Sequence, residues 1–238
     1  MTINNFEYEI KNDRVIIVRY LGNDKDVIVP SYIENKPVKE IKEMAFINNL
    51  YIHRVVLPKF LKKLGKKVFY NCQNLENISI PINLTYIGVS CFENCHSLSE
   101  INIPSNVKRL PQRVFMNCYK LHYINFPDGL KIISYKAFMN CMALKYVSLP
   151  NELKVLNENS FKNCNNLLEL YLGPYVENLD FKMFQNIDLK VLNVKSRKIG
   201  LINLSYTPKN VIIYGYDEST IQHLAYYREF HLLREDEH

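Results

Sequence analysis

A tetrapeptide of the form Phe-x-Asn-Cys recurs along this chain at a fixed spacing. Its phenylalanine stands at positions 46, 69, 92, 115, 138, 161 and 184, which are six successive steps of 23 residues without a slip. The first copy ends in Asn49 and the last in Ile187, and the five between end in cysteine. In a repeat protein each unit contacts only its neighbours. The frame therefore predicts one elongated stack of about seven equivalent coils.

Apolar residues follow the same frame and define two extended segments in each repeat. In the first segment the ninth and eleventh residues after the phenylalanine are apolar, such as Ile78 and Ile80, and proline follows at position 81. This alternation predicts a short strand that the proline ends. A second apolar pair follows, as in Leu84 and Ile87. We expect parallel strands spaced roughly 4.8 Å apart, with short turn or helical segments that carry the phenylalanine.

The two ends of the chain depart from the frame and are expected to cap the stack. Apolar runs at 6–10 and 14–20 predict an N-terminal hairpin, and Val27–Pro30 a third short strand. At the other end the frame slips by one residue after Phe184, and 195–210 reads as irregular. A final strand at 211–215 and a helix at 221–230 should follow. We predict a single domain over 1–238, with caps at 1–37 and 195–238 around repeats at 38–194.

The recurring cysteine and asparagine have structural and chemical interpretations. Cys72, Cys95, Cys118, Cys141 and Cys164 share one position of the frame, which favours a column of buried, reduced thiols. Disulfides between neighbouring coils are the alternative, although five members leave one unpaired. Cys91 and Cys95 are four residues apart, but without a second pair or a framing histidine we predict no metal site. The repeated asparagine suits a turn and is interpreted as a structural ladder.

Composition and motifs exclude several classes of function. The chain is 47% hydrophobic and 23% charged, with a net charge of +6, as expected of an ordinary globular protein. It contains no apolar run long enough to span a bilayer, and Met1–Phe6 lacks the features of a signal peptide. Nucleotide-binding loops and hydrolase motifs are missing, and the histidines show no metal-ligand spacing. We predict no enzyme activity and no cofactor.

The repeat Leu75–Cys95 reads L-x-x-I-x-I-P-x-x-L-x-x-I-G-x-x-x-F-x-N-C and resembles the BspA-type (treponemal) leucine-rich repeat. The entry from Val27 to Phe46 and the exit from Val211 to Tyr226 are similar to the ends of that family. The resemblance implies a leucine-rich repeat solenoid. It also implies a bacterial cell-surface or secreted protein that binds host matrix proteins, other cells or glycans. Without a visible signal peptide, a cytoplasmic location stays open.

Two outward surfaces are candidates for binding. The first lies on the main strand and consists of Arg54, Asn77, Glu100, Tyr123, Tyr146 and Tyr171. Tyrosine is favoured at interfaces, but it also tolerates an exposed strand. The second is a basic ridge on the other half-coil, formed by Lys62, Lys63, Lys66, Lys67, Lys108, Arg109, Arg113, Lys131, Lys136 and Lys154. It could attract anionic partners or serve only as a solvated face.

These features predict a noncatalytic adhesion or protein-interaction module that binds a protein or glycan through the solenoid surface. An intracellular scaffold, or a recognition domain of a larger surface protein, is the alternative. Nucleic acid is not expected as a partner, because no known binding module accompanies the basic ridge. The sequence does not indicate an oligomeric state.

Overall fold

In the computed structural model the repeat frame forms a solenoid of about nine coils that contains almost no helix. The structure describes residues 1–226 and 229–232. The leucine-rich repeat solenoid expected from the sequence is confirmed. It has more coils than the seven of the strict frame, because segments outside that frame also stack on it.

The strands are short, and most repeats contribute two of them. In chain order they are β1 (Thr2–Ile3), β2 (Phe6–Lys11), β3 (Arg14–Tyr20), β4 (Asp26–Ile28), β5 (Tyr32–Ile33), β6 (Lys36–Ile41), β7 (Arg54–Val56), β8 (Lys63–Leu64), β9 (Asn77–Ser79), β10 (Tyr86–Ile87), β11 (Glu100–Asn102), β12 (Arg109–Leu110), β13 (Tyr123–Asn125), β14 (Ile132–Ile133), β15 (Tyr146–Ser148), β16 (Val155–Leu156), β17 (Glu169–Leu172), β18 (Asn178–Asp180), β19 (Val191–Val194), β20 (Gly200–Ile202), β21 (Ile212–Gly215) and β22 (Glu229–Leu232). Short 3-10 segments cover Phe181–Phe184, Leu204–Tyr206 and Thr220–Tyr226.

Two parallel strand stacks run along the solenoid, one on each half-coil. The main stack contains β4-β7-β9, β11-β13 and β15-β17-β19-β21-β22 as three separate sheets. The second stack contains β6-β8-β10, β12-β14-β16 and β18-β20. Strands within the frame pair at an offset of 23 residues, as in Arg54 with Asn77 and Tyr146 with Glu169. Equivalent side chains therefore form straight columns.

The third side of each coil is the turn that carries Phe-x-Asn. Its backbone also joins neighbouring coils, since the N–H of Phe46 donates to the carbonyl of Val68 at 3.0 Å. Phe69, Phe92, Phe115, Phe138 and Phe161 are fully buried and stack with ring centroids 5.2–5.5 Å apart. The column is thus a continuous aromatic spine inside the solenoid.

The cysteines of the motif lie beside this spine as free, buried thiols. Each thiol donates to the carbonyl of the phenylalanine in the preceding coil, for example from Cys72 Sγ to Phe46 O at 3.1 Å and from Cys118 Sγ to Phe92 O at 3.2 Å. The same carbonyl groups also accept the backbone N–H three residues further on, so the thiols add a second hydrogen bond that joins neighbouring coils.

The asparagines of the motif form the predicted ladder. All seven adopt the left-handed conformation, with φ between 59° and 65°. Their side chains hydrogen-bond along the column, as when Asn117 Nδ2 donates to Asn94 Oδ1 at 2.7 Å and Asn140 Nδ2 donates to Asn117 Oδ1 at 2.6 Å. Asparagine tolerates this backbone conformation better than most residues do. The asparagines therefore provide the left-handed backbone that the turn needs, and their side-chain amides hydrogen-bond neighbouring coils to one another.

The N-terminal hairpin is continuous with the solenoid. Strands β2 and β3 pair antiparallel, as predicted, and β3 then pairs in parallel with β6 of the second stack. Strand β4 already belongs to the main stack, where Asp26 lies beside Arg54. The hairpin covers the first coil with Phe6 and Tyr20, whose rings contact Phe46. The proposed boundary between cap and repeats at residue 37 stays a prediction.

The C-terminal end differs from two predictions. The expected slip after Phe184 is present, since β17 pairs with β19 at an offset of 22 residues and β19 with β21 at 21. The prediction of irregular structure at 195–210 is wrong for Gly200–Ile202, which pairs with β18. The region continues the coil because the edge of each stack offers unpaired backbone groups to the next segment.

The helix predicted for 221–230 is replaced by two shorter elements. Thr220–Tyr226 is a 3-10 segment, and Glu229–Leu232 forms β22, which pairs in parallel with β21. Residues 227 and 228 of that prediction lie outside the described part of the chain. A helix of this length gains little by itself in water. Backbone pairing with the edge of β21 satisfies groups that a helix would have left unpaired there.

Candidate binding surfaces

The six residues predicted on the main strand all lie on one exposed face. Arg54, Asn77, Glu100, Tyr123 and Tyr146 follow one another in one outward column, strand after strand, and Tyr171 stands in the neighbouring column next to Ser148. The alternation of each strand points these side chains away from the core. The polar residues at the N-terminal half of this face and the tyrosines at its C-terminal half differ in their side-chain contacts.

The N-terminal half of the face is paired with itself. The guanidinium of Arg54 donates to both carboxylate oxygens of Asp26, at 2.6 and 2.7 Å, and this hydrogen bonding lowers the pKa of Asp26. Asn77 Nδ2 donates to Glu100 Oε1 at 3.4 Å. Exposed pairs of this kind contribute little free energy, but they occupy the groups that a ligand would need. This half is a poor candidate for a binding centre.

The C-terminal half contains a groove that the sequence did not predict. Tyr123, Tyr146 and Tyr171 line a depression of about 470 Å³, together with Asp128 and Asn151 at its border. The three rings are 53%, 63% and 37% exposed. Each tyrosine therefore offers a ligand an apolar ring face and a polar hydroxyl group at the end of the ring.

The groove lies where the main stack is interrupted between β13 and β15, which belong to separate sheets. Phe126 is half-buried here and packs edge-on against Phe138, with centroids 5.8 Å apart. Equivalent positions in other coils hold the smaller side chains of leucine and isoleucine. Ile124 in the same strand is also only half-buried, whereas Ile101 and Val147 at the equivalent positions are buried.

One wall of the groove is fixed by an internal hydrogen bond. The hydroxyl of Tyr171 donates to Glu169 Oε2 at 2.8 Å, and this bond is the largest cause of the raised pKa of Tyr171. The ring is therefore held against its own strand. A side chain that is already ordered loses less entropy when a ligand binds.

The basic ridge lies on the second stack and is split into two groups. Lys62, Lys63, Lys66 and Lys67 lie in one coil, whereas Lys108, Arg109 and Lys131 lie in the middle of the solenoid. The coil between them presents Thr85 and Tyr86 instead. In the first group Lys63 donates to Glu40 at 2.8 Å, and in the second Arg109 Nε donates to Ser134 Oγ at 3.1 Å. The ridge is therefore not one continuous stripe.

Within the described ranges, no group of three or more histidine, cysteine or acidic side chains is arranged to hold a metal ion. In the same part of the chain, no helix has the length and apolar character to cross a bilayer.

A family model for the BspA type leucine rich repeat region matches the chain in 6 copies, over residues 28–122 and 91–206.

The chain belongs to the BspA-type leucine-rich repeat family.

The solved structures to which this BspA-type protein is similar include bacterial leucine-rich repeat proteins. It is 27% identical to a leucine-rich repeat protein of T. pallidum, with 98% of this chain and 99% of that one covered and a TM-score of 0.55. Two further structures show the same fold. A leucine-rich cell surface protein of Faecalibacterium prausnitzii is 16% identical over 99% of this chain and 95% of its own, with a TM-score of 0.59. A leucine-rich repeat protein of Bacteroides ovatus is 20% identical over 98% and 76%, with a TM-score of 0.60. The chain has no significant match among curated proteins.

Sequence reasoning missed a second depression in this BspA-type protein. It lies near the C-terminal end of the second stack, measures about 870 Å³ and is lined by Lys154, Tyr175, Arg197, Lys198 and Tyr216 among others. Only Lys154 was noted from the sequence, and Arg197, Lys198 and Tyr216 lie beyond the end of the frame. The run Lys195–Lys198, with three basic residues in four, was the available signal.

Proposed function

We propose that this protein is a noncatalytic interaction module that binds a protein ligand through the groove bordered by Tyr123, Tyr146 and Tyr171. The family and its structural neighbours are repeat proteins that are typically noncatalytic, and their fold suits protein interaction. The observation that carries the proposal is the convergence of three exposed tyrosine rings on one depression of about 470 Å³.

Tyrosine supplies large contact area at a small cost in side-chain entropy, and it is enriched among the residues that dominate binding energy. The groove also has a polar border, since Asp128, Asn151 and Ser148 lie around the rings. An apolar centre with a polar rim is the usual anatomy of a protein interface.

We further propose an adhesion role at the cell surface, as the family resemblance implies. Labelling of intact source cells with a membrane-impermeant reagent tests this location against an intracellular scaffold.

The groove is tested with the double variant Tyr123→Ala/Tyr146→Ala against a panel of purified, immobilised extracellular-matrix proteins. For any protein that the wild type binds, we expect the variant to bind at least about thirtyfold more weakly, because an interface tyrosine of this kind contributes about 2 kcal/mol or more. The melting temperature should not change, since both rings are exposed.

The matched control removes two exposed tyrosines outside the groove, in Tyr86→Ala/Tyr119→Ala. This variant should bind like the wild type. Equal affinity of the groove variant and the wild type for every captured protein would rule out the groove as the binding site.

A further inference from the structure

The depression near the C-terminal end is built by three successive coils of the second stack. Asn151 and Lys154 form one side of it, 174–177 a second and 195–198 a third, and Tyr216 closes the end. Its volume of about 870 Å³ lies within the range of pockets that hold small ligands or short segments of a polymer. It adjoins the tyrosine groove of the main stack at Asn151, which lines both depressions, but it shares none of that groove's tyrosines.

Basic side chains outnumber acidic ones among the described residues that line this pocket. Lys154, Lys195, Arg197 and Lys198 line it, and among the described lining residues Glu177 is the one acid. Lys154 and Lys198 are exposed, and no carboxylate in the described part of the chain pairs with either ammonium group. The guanidinium of Arg197 stacks over Tyr216 at 4.5 Å and donates to the carbonyl of Asp217 at 3.4 Å. This cation is therefore held in a defined position at the end of the pocket.

A row of lysines leads into the pocket along the solenoid. Lys108, Lys131 and Lys154 occupy one column, where the N–H of Lys131 donates to Lys108 O at 2.9 Å and the N–H of Lys154 donates to Lys131 O at 3.0 Å. Successive members are thus separated by one strand spacing, roughly 4.8 Å. Like charges on neighbouring strands repel one another. A bound polyanion would relieve this repulsion at each step.

An aromatic ring lies beside these cations. Tyr175 is 60% exposed and borders the pocket. A flat ring with a polar tip packs well on the C–H face of a sugar ring, while the lysines neutralise acidic substituents. Single-stranded nucleic acid would need a series of ring faces for successive bases. Here one face of Tyr216 is already covered by Arg197. The arrangement therefore favours a charged carbohydrate over a nucleic acid.

We propose that this pocket and the row from Lys108 to Lys154 bind a linear anionic polysaccharide that carries carboxylate or sulfate groups. Lys108, Lys131, Lys154 and Lys198 bind the acidic groups along the axis, and Tyr175 packs on a sugar ring. This site is additional to the proposed tyrosine groove and does not depend on it.

The test measures binding of the full chain to immobilised heparin, a sulfated polymer that contains uronic acid, with neutral dextran as the reference surface. The variant Lys154→Gln/Lys198→Gln should bind heparin about tenfold more weakly, because two unpaired charge contacts are lost. Tyr175→Ala should weaken binding by about threefold or more without any change of net charge.

The matched control Lys62→Gln/Lys66→Gln removes the same number of charges from the other group of the ridge. We expect its affinity to stay within about twofold of the wild type. An equal loss in this control would show general charge attraction and overturn the proposal, as would wild-type binding to heparin no stronger than to dextran. Displacement of heparin by oligothymidylate at matched charge would instead identify a nucleic-acid site. The variant Tyr123→Ala/Tyr146→Ala should retain heparin binding, which separates this site from the groove.

Discussion

Two columns of residues in this solenoid hold a left-handed backbone without using glycine. One column is formed by the asparagines of the repeated motif. The other consists of Met44, Lys67, Ser90, Arg113, Lys136 and Asn159, with φ between 56° and 62°. For most side chains this conformation costs roughly 1–2 kcal/mol, because Cβ approaches the following carbonyl oxygen. In the asparagine column, the amide hydrogen bonds of the ladder offset this cost. Arg113 is an exposed, charged residue outside that ladder, and its backbone has the same conformation.

A matched pair of glycine variants separates the cost of the left-handed backbone from the stabilisation that the amide ladder provides. Arg113→Gly should raise the free energy of unfolding by about 0.5–1 kcal/mol, because glycine adopts this φ without the clash of Cβ. Asn117→Gly keeps the favourable backbone but loses two amide hydrogen bonds, and should lower the free energy by about 1–2 kcal/mol. Urea denaturation followed by circular dichroism measures both changes.

Arg113→Ala serves as the control for removal of the side chain alone. It retains the strained φ and should lie within about 0.5 kcal/mol of the wild type. A shift of the free energy of unfolding in the same direction for both glycine variants would show that the amide ladder does not offset the backbone cost in the asparagine column.

At the scale of the coil, two glycines determine how closely neighbouring turns approach. A Cβ added at Gly88 would overlap backbone atoms of Gly65 and Lys66, and one added at Gly65 would overlap the backbone of Glu43. Neither glycine has a positive φ. These residues are therefore required for space and not for backbone freedom. Pro111 and Ser134 occupy the equivalent positions in later coils, so the close approach is local to the first turns.

Gly88→Ala is expected to lower the free energy of unfolding by about 2 kcal/mol or more, because only a backbone shift can make room for the new methyl group. Gly129→Ala is the contrasting variant, since its Cβ would meet only the flexible end of the Lys108 side chain. It should be neutral or stabilise by up to about 1 kcal/mol. Urea denaturation of the two variants side by side provides the measurement, and equal effects would show that the coils can separate without cost.

At the scale of the whole molecule, the thiol column makes stability depend on alkaline pH. Burial raises the pKa of Cys72 and Cys164 to about 12, and it raises the pKa of Cys91, Cys95, Cys118 and Cys141 as well. An ordinary thiol titrates near 8.5. Above that pH the unfolded chain releases protons that the folded chain keeps. The contribution of the thiols is thus complete below about pH 8.5 and declines as the pH rises.

We expect cooperative unfolding near pH 10. Each thiol weakens the folded state by about 1.4 kcal/mol per pH unit above 8.5, and the six together by roughly 8 kcal/mol per pH unit, which is roughly 12 kcal/mol at pH 10. This loss is comparable with the whole stability of a typical domain, about 5–15 kcal/mol. A titration followed by circular dichroism tests the midpoint, and the variant Cys95→Ala/Cys118→Ala should show a slope about one third shallower.

Thiol counting gives the independent check. Without reductant, the protein unfolded in urea should react as six free thiols, whereas the folded protein at pH 8 should react slowly. Two or fewer reactive thiols in urea would indicate disulfides and remove the reduced column. A fold that stays intact to pH 11 would contradict the linkage argument even if all six thiols were free.

The repeat frame by itself determined most of the fold. A period of 23 residues fixes which side chains lie in one column, because strands that pair at that offset place equivalent residues side by side. The buried phenylalanines and cysteines, the asparagine ladder and the outward column from Arg54 to Tyr146 all follow from that register. The prediction was weakest where the frame ends, since pairing at a free strand edge depends on the neighbouring coil and not on local propensity.

The tertiary structure alone decided where a ligand has room to bind. From the sequence, Arg54 and Tyr146 are equivalent positions on one face, yet Arg54 is paired with Asp26 and Tyr146 borders an open groove. The groove lies where β13 and β15 do not pair, and the basic pocket combines residues of the frame with residues beyond its end. Both result from packing between neighbouring coils, and periodicity carries no information about the gaps that such packing leaves.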